Sequence, residues 1–120
     1  NYLIIDAGMQ TFLRPALYNT YHKILPFIKT NNNNNNVYTV AGPICESSDI
    51  LAKNINLPLQ KREDFLILCD VGAYGSVMSS NYNSKCLPAE ILINNNKYAI
   101  IREKENIENK INRDKIPNWL

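Results

Sequence analysis

Residues 42–49, which read GPICESSD, carry the two side chains best suited to chemistry. Cys45 is a thiol and Glu46 is a carboxylic acid, and a Gly-Pro turn precedes them. A cysteine exchanges a proton near neutral pH if its pKa moves from the usual value of about 8.5, and an adjacent acid can bind a cationic group. The alternative is an inert core cysteine with Glu46 in solvent, since most free cysteines are buried and unreactive.

A second pair of polar side chains stands at the start of a predicted helix. Proline is favoured at the first helical position, so a helix is expected from Pro15 to Leu25, where Pro26 stops it. Arg14 and Tyr18 are four residues apart and can project to the same side of its first turn. A guanidinium at a helix start is suited to binding a carboxylate. The alternative is a surface arginine beside a half-buried tyrosine.

A third polar segment follows an apolar strand at residues 70–76, which read DVGAYGS. Tyr74 lies between Gly72 and Gly75, and these glycines permit tight backbone turns and close approach of a ligand. A tight turn with a packed tyrosine explains the same residues equally well.

Composition excludes several classes of protein. The 120 residues suit one small domain, and a net charge of +2 indicates neither a nucleic-acid nor a membrane partner. Cys45, Cys69 and Cys86 are odd in number and far apart, which argues against a disulfide framework or a zinc site and favours a reducing, cytoplasmic location. His22 is the single histidine, so we expect no Ser-His-Asp triad and no metal site. No apolar run is long enough to span a membrane.

The elements that must position these side chains are mostly strands. Apolar, β-branched runs predict strands at residues 2–5, 37–41, 65–69, 89–93 and 97–102, the last two forming a hairpin. Residues 50–59 are expected to be irregular, the asparagine tract at 31–36 to be a disordered loop insert, and residues 103–115 to form a terminal helix. Without alternating strands and helices, a mainly antiparallel β-barrel or sandwich is favoured.

Six segments together resemble one family. They are residues 6–9 (DAGM), 14–22 (beginning RPALY), 42–49, 70–75 (DVGAYG), 78–83 (MSSNYN) and 88–90 (PAE). In this order and spacing they resemble the C-terminal part of the diaminopimelate decarboxylase family, pyridoxal-phosphate enzymes that convert meso-2,6-diaminopimelate to L-lysine and CO2 in the last step of lysine biosynthesis. The resemblance covers the chain apart from the asparagine tract. The family's usual Cys-Glu-Ser-Gly-Asp departs here only in Ser48.

The resemblance implies a fold and an assembly. Residues 1–120 are expected to form a mainly β domain, a β-barrel like the C-terminal barrel of alanine racemase with short helices. The family also has an N-terminal (β/α)8 barrel that carries the cofactor lysine, and no segment here resembles it. We therefore expect this chain, which begins at Asn1 and not at Met, to be the C-terminal portion of a longer enzyme and inactive alone. A homodimer with shared active sites is implied.

The resemblance also implies roles for five residues. Cys45 matches the thiol that acts as proton donor, and it is the expected catalytic residue. Arg14 and Tyr18 match positions that hold the distal end of the substrate, and Glu46 matches a substrate-binding acid. Tyr74 matches a tyrosine that contacts both pyridoxal 5'-phosphate and the substrate.

Two other interpretations stay open. Ornithine and arginine decarboxylases share the fold type and the cysteine-containing segment, but Arg14 together with Cys45 and Glu46 favours a dicarboxylic substrate. A carboxynorspermidine-type decarboxylase is the closer alternative. The second interpretation is that the chain is a non-catalytic β-barrel fragment that serves as an interaction module, since the cofactor lysine is absent from it.

Overall fold

The structure is a computed structural model that describes residues 1–29 and 35–120. It divides into two compact units, Asn1–Ser79 and Ser80–Leu120. The first unit contains β1 (Tyr2–Ile4), α1 (Arg14–Tyr18), β2 (Ile24–Pro26), β3 (Asn35–Ala41), β4 (Ile50–Pro58), β5 (Leu66–Leu68) and α2 (Gly72–Val77). The second contains a 3₁₀ turn (Tyr82–Ser84), β6 (Glu90–Asn94), β7 (Lys97–Arg102) and α3 (Ile107–Ile111). The predicted mainly β class with short helices is confirmed.

The first unit is built on a sheet with the strand order β1-β3-β4. β1 runs parallel to β3 with Tyr2 opposite Thr39, and β3 runs antiparallel to β4. A second ribbon pairs β2 with β5, with Ile24 opposite Leu68. The sheet and the ribbon thus bring together strands that lie far apart in the sequence.

One apolar cluster joins these elements. Val40 of β3 has no exposed surface, and Phe12, Ile24 and Leu51 are each at least nine-tenths buried around it. Each of the four residues comes from a different segment, and burying such a side chain contributes roughly 1.5–3 kcal/mol. The cluster therefore fixes the loop that contains Phe12 against three strands.

The first helix is shorter than the sequence predicted. It ends at Tyr18 and not at Leu25, because Asn19 adopts the left-handed conformation (φ 54°) and its N–H donates to the carbonyl of Pro15 at 3.0 Å. The chain then enters β2, whose last residue is Pro26. Pro26 therefore closes a strand, where the end position tolerates the missing N–H. The prediction of one continuous helix was wrong because pairing with β5 draws the second half into the ribbon.

Residues 50–59 are also more regular than predicted. They form β4, a strand of nine residues. Its pairing with β3 shifts register so that Lys53 and Asn54 together lie opposite Thr39, and Asn54 has a φ of 54°. This β-bulge places two polar residues side by side and breaks the alternation by which a strand is recognised in a sequence.

The asparagine tract and the first strand both depart from expectation. Asn35 and Asn36 belong to β3 and pair with β4, so the loop insert expected at 31–36 does not include them, and the rest of that prediction lies outside the described residues. The first strand was predicted to be buried, but Tyr2 and Ile4 are exposed and only its other face meets the core.

Residues 72–75 (GAYG) form part of a helix, although a tight turn was one of the two expectations for them. α2 begins at Gly72, whose φ of 61° lies in the left-handed region that favours glycine. Gly75 is buried within the helix, and a Cβ at this position would overlap Cγ1 of Val71 and lie 3.6 Å from the ring of Phe12. The helix therefore packs on the core through the bare backbone of Gly75.

In the second unit the predicted hairpin is confirmed. β6 and β7 pair antiparallel, with Asn94 opposite Lys97, and Asn95 in the turn has a φ of 54°. Arg102 at the end of β7 forms an ion pair with Glu90 at the start of β6. The ion pair closes the open end of the hairpin.

The carboxylate of Glu105 links the segment before this hairpin to the segment after it. Leu87 and Glu105 exchange two hydrogen bonds: the Glu105 N–H donates to the Leu87 carbonyl at 3.0 Å, and the Leu87 N–H donates to the Glu105 carboxylate at 3.1 Å. The Leu87 N–H is the main cause of the lowered pKa of Glu105, which lies below the usual 4.5; the Asn81 amide and the positive charge of Arg113 add to it against partial desolvation.

The terminal helix expected over residues 103–115 is α3, which spans Ile107–Ile111. Asn106 caps it, because its side-chain oxygen accepts the Glu108 N–H at 2.8 Å. In the parts of the chain that the structure describes, every helix is too short or too polar to cross a membrane.

Gly75→Ala is expected to destabilise the protein. Overpacking against Val71 costs roughly 1–3 kcal/mol, while the better helix propensity of alanine returns at most about 1 kcal/mol. We expect a net loss of about 1–2 kcal/mol in urea unfolding. Val71→Ala supplies the control, because it removes the overlapping methyl group. If Gly75→Ala were equally harmful in the Val71→Ala background, overlap with Val71 would not be the cause.

Glu105→Gln is expected to loosen the second unit at neutral pH. A carboxyl whose folded-state pKa is lowered stabilises the fold above its unfolded-state pKa, and this contribution is lost as the pH falls through the folded-state value. Hydrogen exchange at the Leu87 amide measures the effect: protection falls in the variant at neutral pH, and the difference from wild type disappears in acid. Glu103→Gln, at an exposed carboxylate two residues away, should leave this protection unchanged.

Candidate active site

Arg14 and Tyr18 occupy the two ends of α1. Their side chains meet, as their spacing predicted: the guanidinium carbon of Arg14 lies 5.7 Å from the centroid of the Tyr18 ring. Pro15 preorganises the first turn, and Asn19 ends the helix directly after Tyr18. This short helix therefore sets the position of both side chains.

Tyr74 joins this pair from a distant part of the chain. The centroid of its ring lies 5.4 Å from the guanidinium carbon of Arg14. Both distances are within the range of about 6 Å for a cation over an aromatic ring. Tyr18 and Tyr74 are 58% and 63% exposed, so the cluster opens to the surface. Three of the five residues predicted for the site thus form one cationic and aromatic cluster.

Phe12 is the shared support of this cluster. It is 3% exposed, precedes Arg14 by two residues, and packs edge-on against the ring of His22 with centroids 4.5 Å apart. α2 also comes close to Phe12, at Gly75. Arg14 follows Phe12 by two residues and Tyr74 belongs to α2, which packs on Phe12, so core packing helps to bring the two side chains together.

Cys45 and Glu46 lie in the loop between β3 and β4. Cys45 is exposed and Glu46 is half-buried, while the preceding Ile44 is buried. Backbone hydrogen bonds fold the loop on itself: the Glu46 N–H donates to Ile44 at 2.8 Å, and the Gly42 N–H donates to Asp49 at 3.0 Å. The thiol is therefore carried on an ordered turn, and the alternative of a core cysteine is wrong for the described chain.

Asp49 is the residue of this segment that sequence reasoning left without a role. It is 2% exposed, and its carboxylate accepts the N–H of Met9 and the N–H of Ile44. A glycine on each of the two contacting loops, Gly8 and Gly42, was the signal that could have indicated a close approach.

Two cavities of the first unit are lined by other residues. One, of about 370 Å³, lies between α1 and the cysteine-bearing loop, since Pro15 and Ala16 line it together with Ser47 and Ser48. The other, of about 630 Å³, is lined by the first strand and by residues 60–66. The first cavity borders α1 and the cysteine-bearing loop, but none of the five residues predicted for the site lines either cavity.

No cluster of three or more His, Cys, Asp or Glu side chains that could hold a metal ion is present in residues 1–29 and 35–120.

A protein-family model matches residues 1–72, and its description is "Pyridoxal-dependent decarboxylase, C-terminal sheet domain". Among curated proteins, a diaminopimelate decarboxylase of Archaeoglobus fulgidus is 42% identical over 120 residues, which are 100% of this chain and 29% of the relative. A diaminopimelate decarboxylase of Haemophilus influenzae is 40% identical over 108 residues, 90% of this chain and 26% of the relative. The chain thus spans less than a third of the length of either relative.

Solved structures agree. The diaminopimelate decarboxylase of M. jannaschii in complex with L-lysine superposes with a TM-score of 0.91 at 37% identity, over 99% of this chain and 27% of that one. SrLDC in complex with PLP and cadaverine superposes with a TM-score of 0.62 at 25% identity, over 72% of this chain and 22% of that one. The chain belongs to the pyridoxal-dependent decarboxylase family, of which it carries the C-terminal sheet domain.

Proposed function

We propose that the full-length protein carrying this chain is a diaminopimelate decarboxylase, which converts meso-2,6-diaminopimelate to L-lysine and CO2. The observation that carries the proposal is the cluster in which one arginine is held against two phenol rings from separate elements. Such a cluster suits the distal carboxylate of a dicarboxylic substrate, which a diamine precursor such as ornithine lacks. The names of the relatives support the same activity.

The residues of the cluster also fit the cofactor that the family name implies. Pyridoxal 5'-phosphate is an anion with an aromatic ring, and the exposed phenol of Tyr74 beside the cationic Arg14 offers both a hydrogen-bond donor and positive charge. Tyr74 is the residue of this chain that would hold it. When bound, the cofactor supplies an electron sink for the electron pair left as the carboxylate departs.

The substrate would be recognised at the end that does not react. Arg14 takes the distal carboxylate through paired N–H donors, and Tyr18 keeps the guanidinium in place. Glu46 takes the distal ammonium group. Fixing the far end orients the reacting carbon so that its carboxylate leaves in the productive direction. Specificity for a substrate with an amino acid group at each end follows from this pair of opposite charges.

Cys45 would complete the reaction by returning a proton. When the bond from carbon to the carboxylate breaks, its electron pair stays on the carbon side, and the Cys45 S–H donates a proton to form the new C–H bond. The resulting thiolate regains its proton from solvent, for which the exposed position of Cys45 is suited. This assigns the general-acid role to a residue on an ordered turn.

The proposal includes the rest of the assembly. The chain would be the β-barrel domain of a cytoplasmic homodimer with shared active sites, completed by a (β/α)8 barrel that supplies the cofactor lysine. The chain alone would then bind neither cofactor nor substrate productively. The 29% and 26% shares of the relatives' lengths support a longer functional protein.

Steady-state assays of the full-length protein with single amino acids test the substrate. We expect turnover of meso-diaminopimelate and none of ornithine, arginine or carboxynorspermidine. Arg14→Leu should lower kcat/KM for diaminopimelate by about 100-fold, because a charge-assisted, two-pronged contact is lost. Arg62→Leu, at an exposed arginine, is the matched control and should change nothing. Turnover of ornithine but not of diaminopimelate would replace the proposed function with the related one.

Cys45→Ala in the full-length protein tests the proton donor. We expect kcat to fall by about 100-fold or more, as is typical for loss of a general acid, while the absorbance of bound cofactor stays at the wild-type level. Cys86→Ala serves as the control, because no role in the reaction is assigned to that thiol. Wild-type turnover by Cys45→Ala would remove the proposed role.

A further inference from the structure

We propose that Asp49 is a positioning residue that fixes the Cys45 thiol relative to the loop leading to Arg14. The inference rests on the proposed function for the role of Cys45, but it concerns a residue that does not itself contact the substrate. Its basis is the geometry of a buried carboxylate between two loops.

The carboxylate of Asp49 holds one backbone N–H from each loop. Oδ1 accepts the N–H of Met9 at 2.6 Å, and Oδ2 accepts the N–H of Ile44 at 2.8 Å. Ile44 immediately precedes Cys45, so the second hydrogen bond acts on the peptide next to the thiol. Asp49 is 2% exposed, and water has little access to compete for either N–H. A charged acceptor strengthens both bonds.

The two loops approach so closely because each offers a glycine. A Cβ at Gly8 would lie 2.8 Å from both carboxylate oxygens of Asp49. A Cβ at Gly42 would lie 2.5 Å from Oδ1 of Asp49 and 2.5 Å from the Cα of Gly8. Real Cβ atoms do not occur at such distances, so the position of the carboxylate depends on both glycines.

The loop held by Asp49 continues directly to the arginine. The carbonyl of Gly8 accepts the N–H groups of Thr11 and Phe12, each at 2.9 Å, and α1 begins two residues after Phe12. The same carboxylate therefore sets the start of the path to Arg14 and the peptide before Cys45.

Asp49→Asn in the full-length enzyme tests the proposal with a substitution of nearly equal size. The amide keeps one acceptor oxygen and points an NH₂ group at the other backbone N–H, so one of the two hydrogen bonds is lost. We expect kcat for diaminopimelate to fall by about 100-fold, as a misplacement of about 1 Å does, with cofactor occupancy unchanged. A second readout needs no turnover: the rate of Cys45 alkylation by iodoacetamide, followed by peptide mass spectrometry.

The alkylation rate of Cys45 should differ from wild type by at least about threefold, because the environment of the thiol changes. The rates of Cys69 and Cys86 in the same sample should stay as in wild type. Asp64→Asn is the matched control, since the exposed Asp64 also accepts a backbone N–H, that of Lys61, at 2.6 Å. It should alter neither readout.

A double-mutant cycle separates positioning from general stability. If Asp49 acts through Cys45, Asp49→Asn should change kcat by less than about twofold in the Cys45→Ala background. An equal loss in both backgrounds, or unchanged alkylation of Cys45 in Asp49→Asn, would overturn the proposal. Should Asp49→Asn not fold, Gly8→Ala crowds the same carboxylate and must reproduce the change in Cys45 alkylation, or the proposal fails. Changed alkylation in a protein that does not decarboxylate diaminopimelate would refute the proposed function and leave the positioning role intact.

Discussion

The packing of Phe12 is the contact on which the first unit depends. Its ring lies in the core with Val40 of the main sheet and meets the edge of His22, and α2 rests on it through Gly75. An aromatic ring with close neighbours on several sides can shift only if all of them shift, because protein cores are packed as densely as organic crystals. The short helix α2 takes its position from this ring, and α1 begins two residues after it.

Packing against the core compensates for the shortness of the two helices. α1 has five residues and α2 has six, lengths at which an isolated helix is not stable in water. Their geometry comes from tertiary contacts and from closing features such as the left-handed Asn19. A site built this way can be precise without long helices, because each side chain leaves the backbone within two or three residues of a buried anchor.

The sequence allowed the hairpin, the third strand and the grouping of Arg14 with Tyr18 to be predicted, since these follow from local spacing. It did not reveal where α1 ends or that β2 exists, because β2 is defined by pairing with β5, more than forty residues later. β4 was missed for a related reason: a bulge at Lys53 and Asn54 interrupts the pattern of apolar residues. Contacts between segments that are distant in the sequence produce no periodic pattern of apolar residues in either segment.

The residues of the candidate site were likewise predictable only in part. The types of Cys45 and Glu46 drew attention because thiols and acids do chemistry, and the resemblance to a family gave them roles. The role of Asp49 was missed, since its partners are backbone N–H groups, which every residue but proline possesses. Only the three-dimensional approach of two glycines distinguishes this aspartate from an ordinary loop acid.

The left-handed turns have a consequence for how this chain tolerates change. Asn19, Asn54 and Asn95 all occupy backbone conformations that usually select glycine, and the whole chain has four glycines. Asparagine is the residue that best replaces glycine there, because its short side chain can bond to nearby backbone. Asparagine can therefore become more frequent at these bends without disrupting the strands that they join. The fold thus tolerates a high asparagine content at such positions.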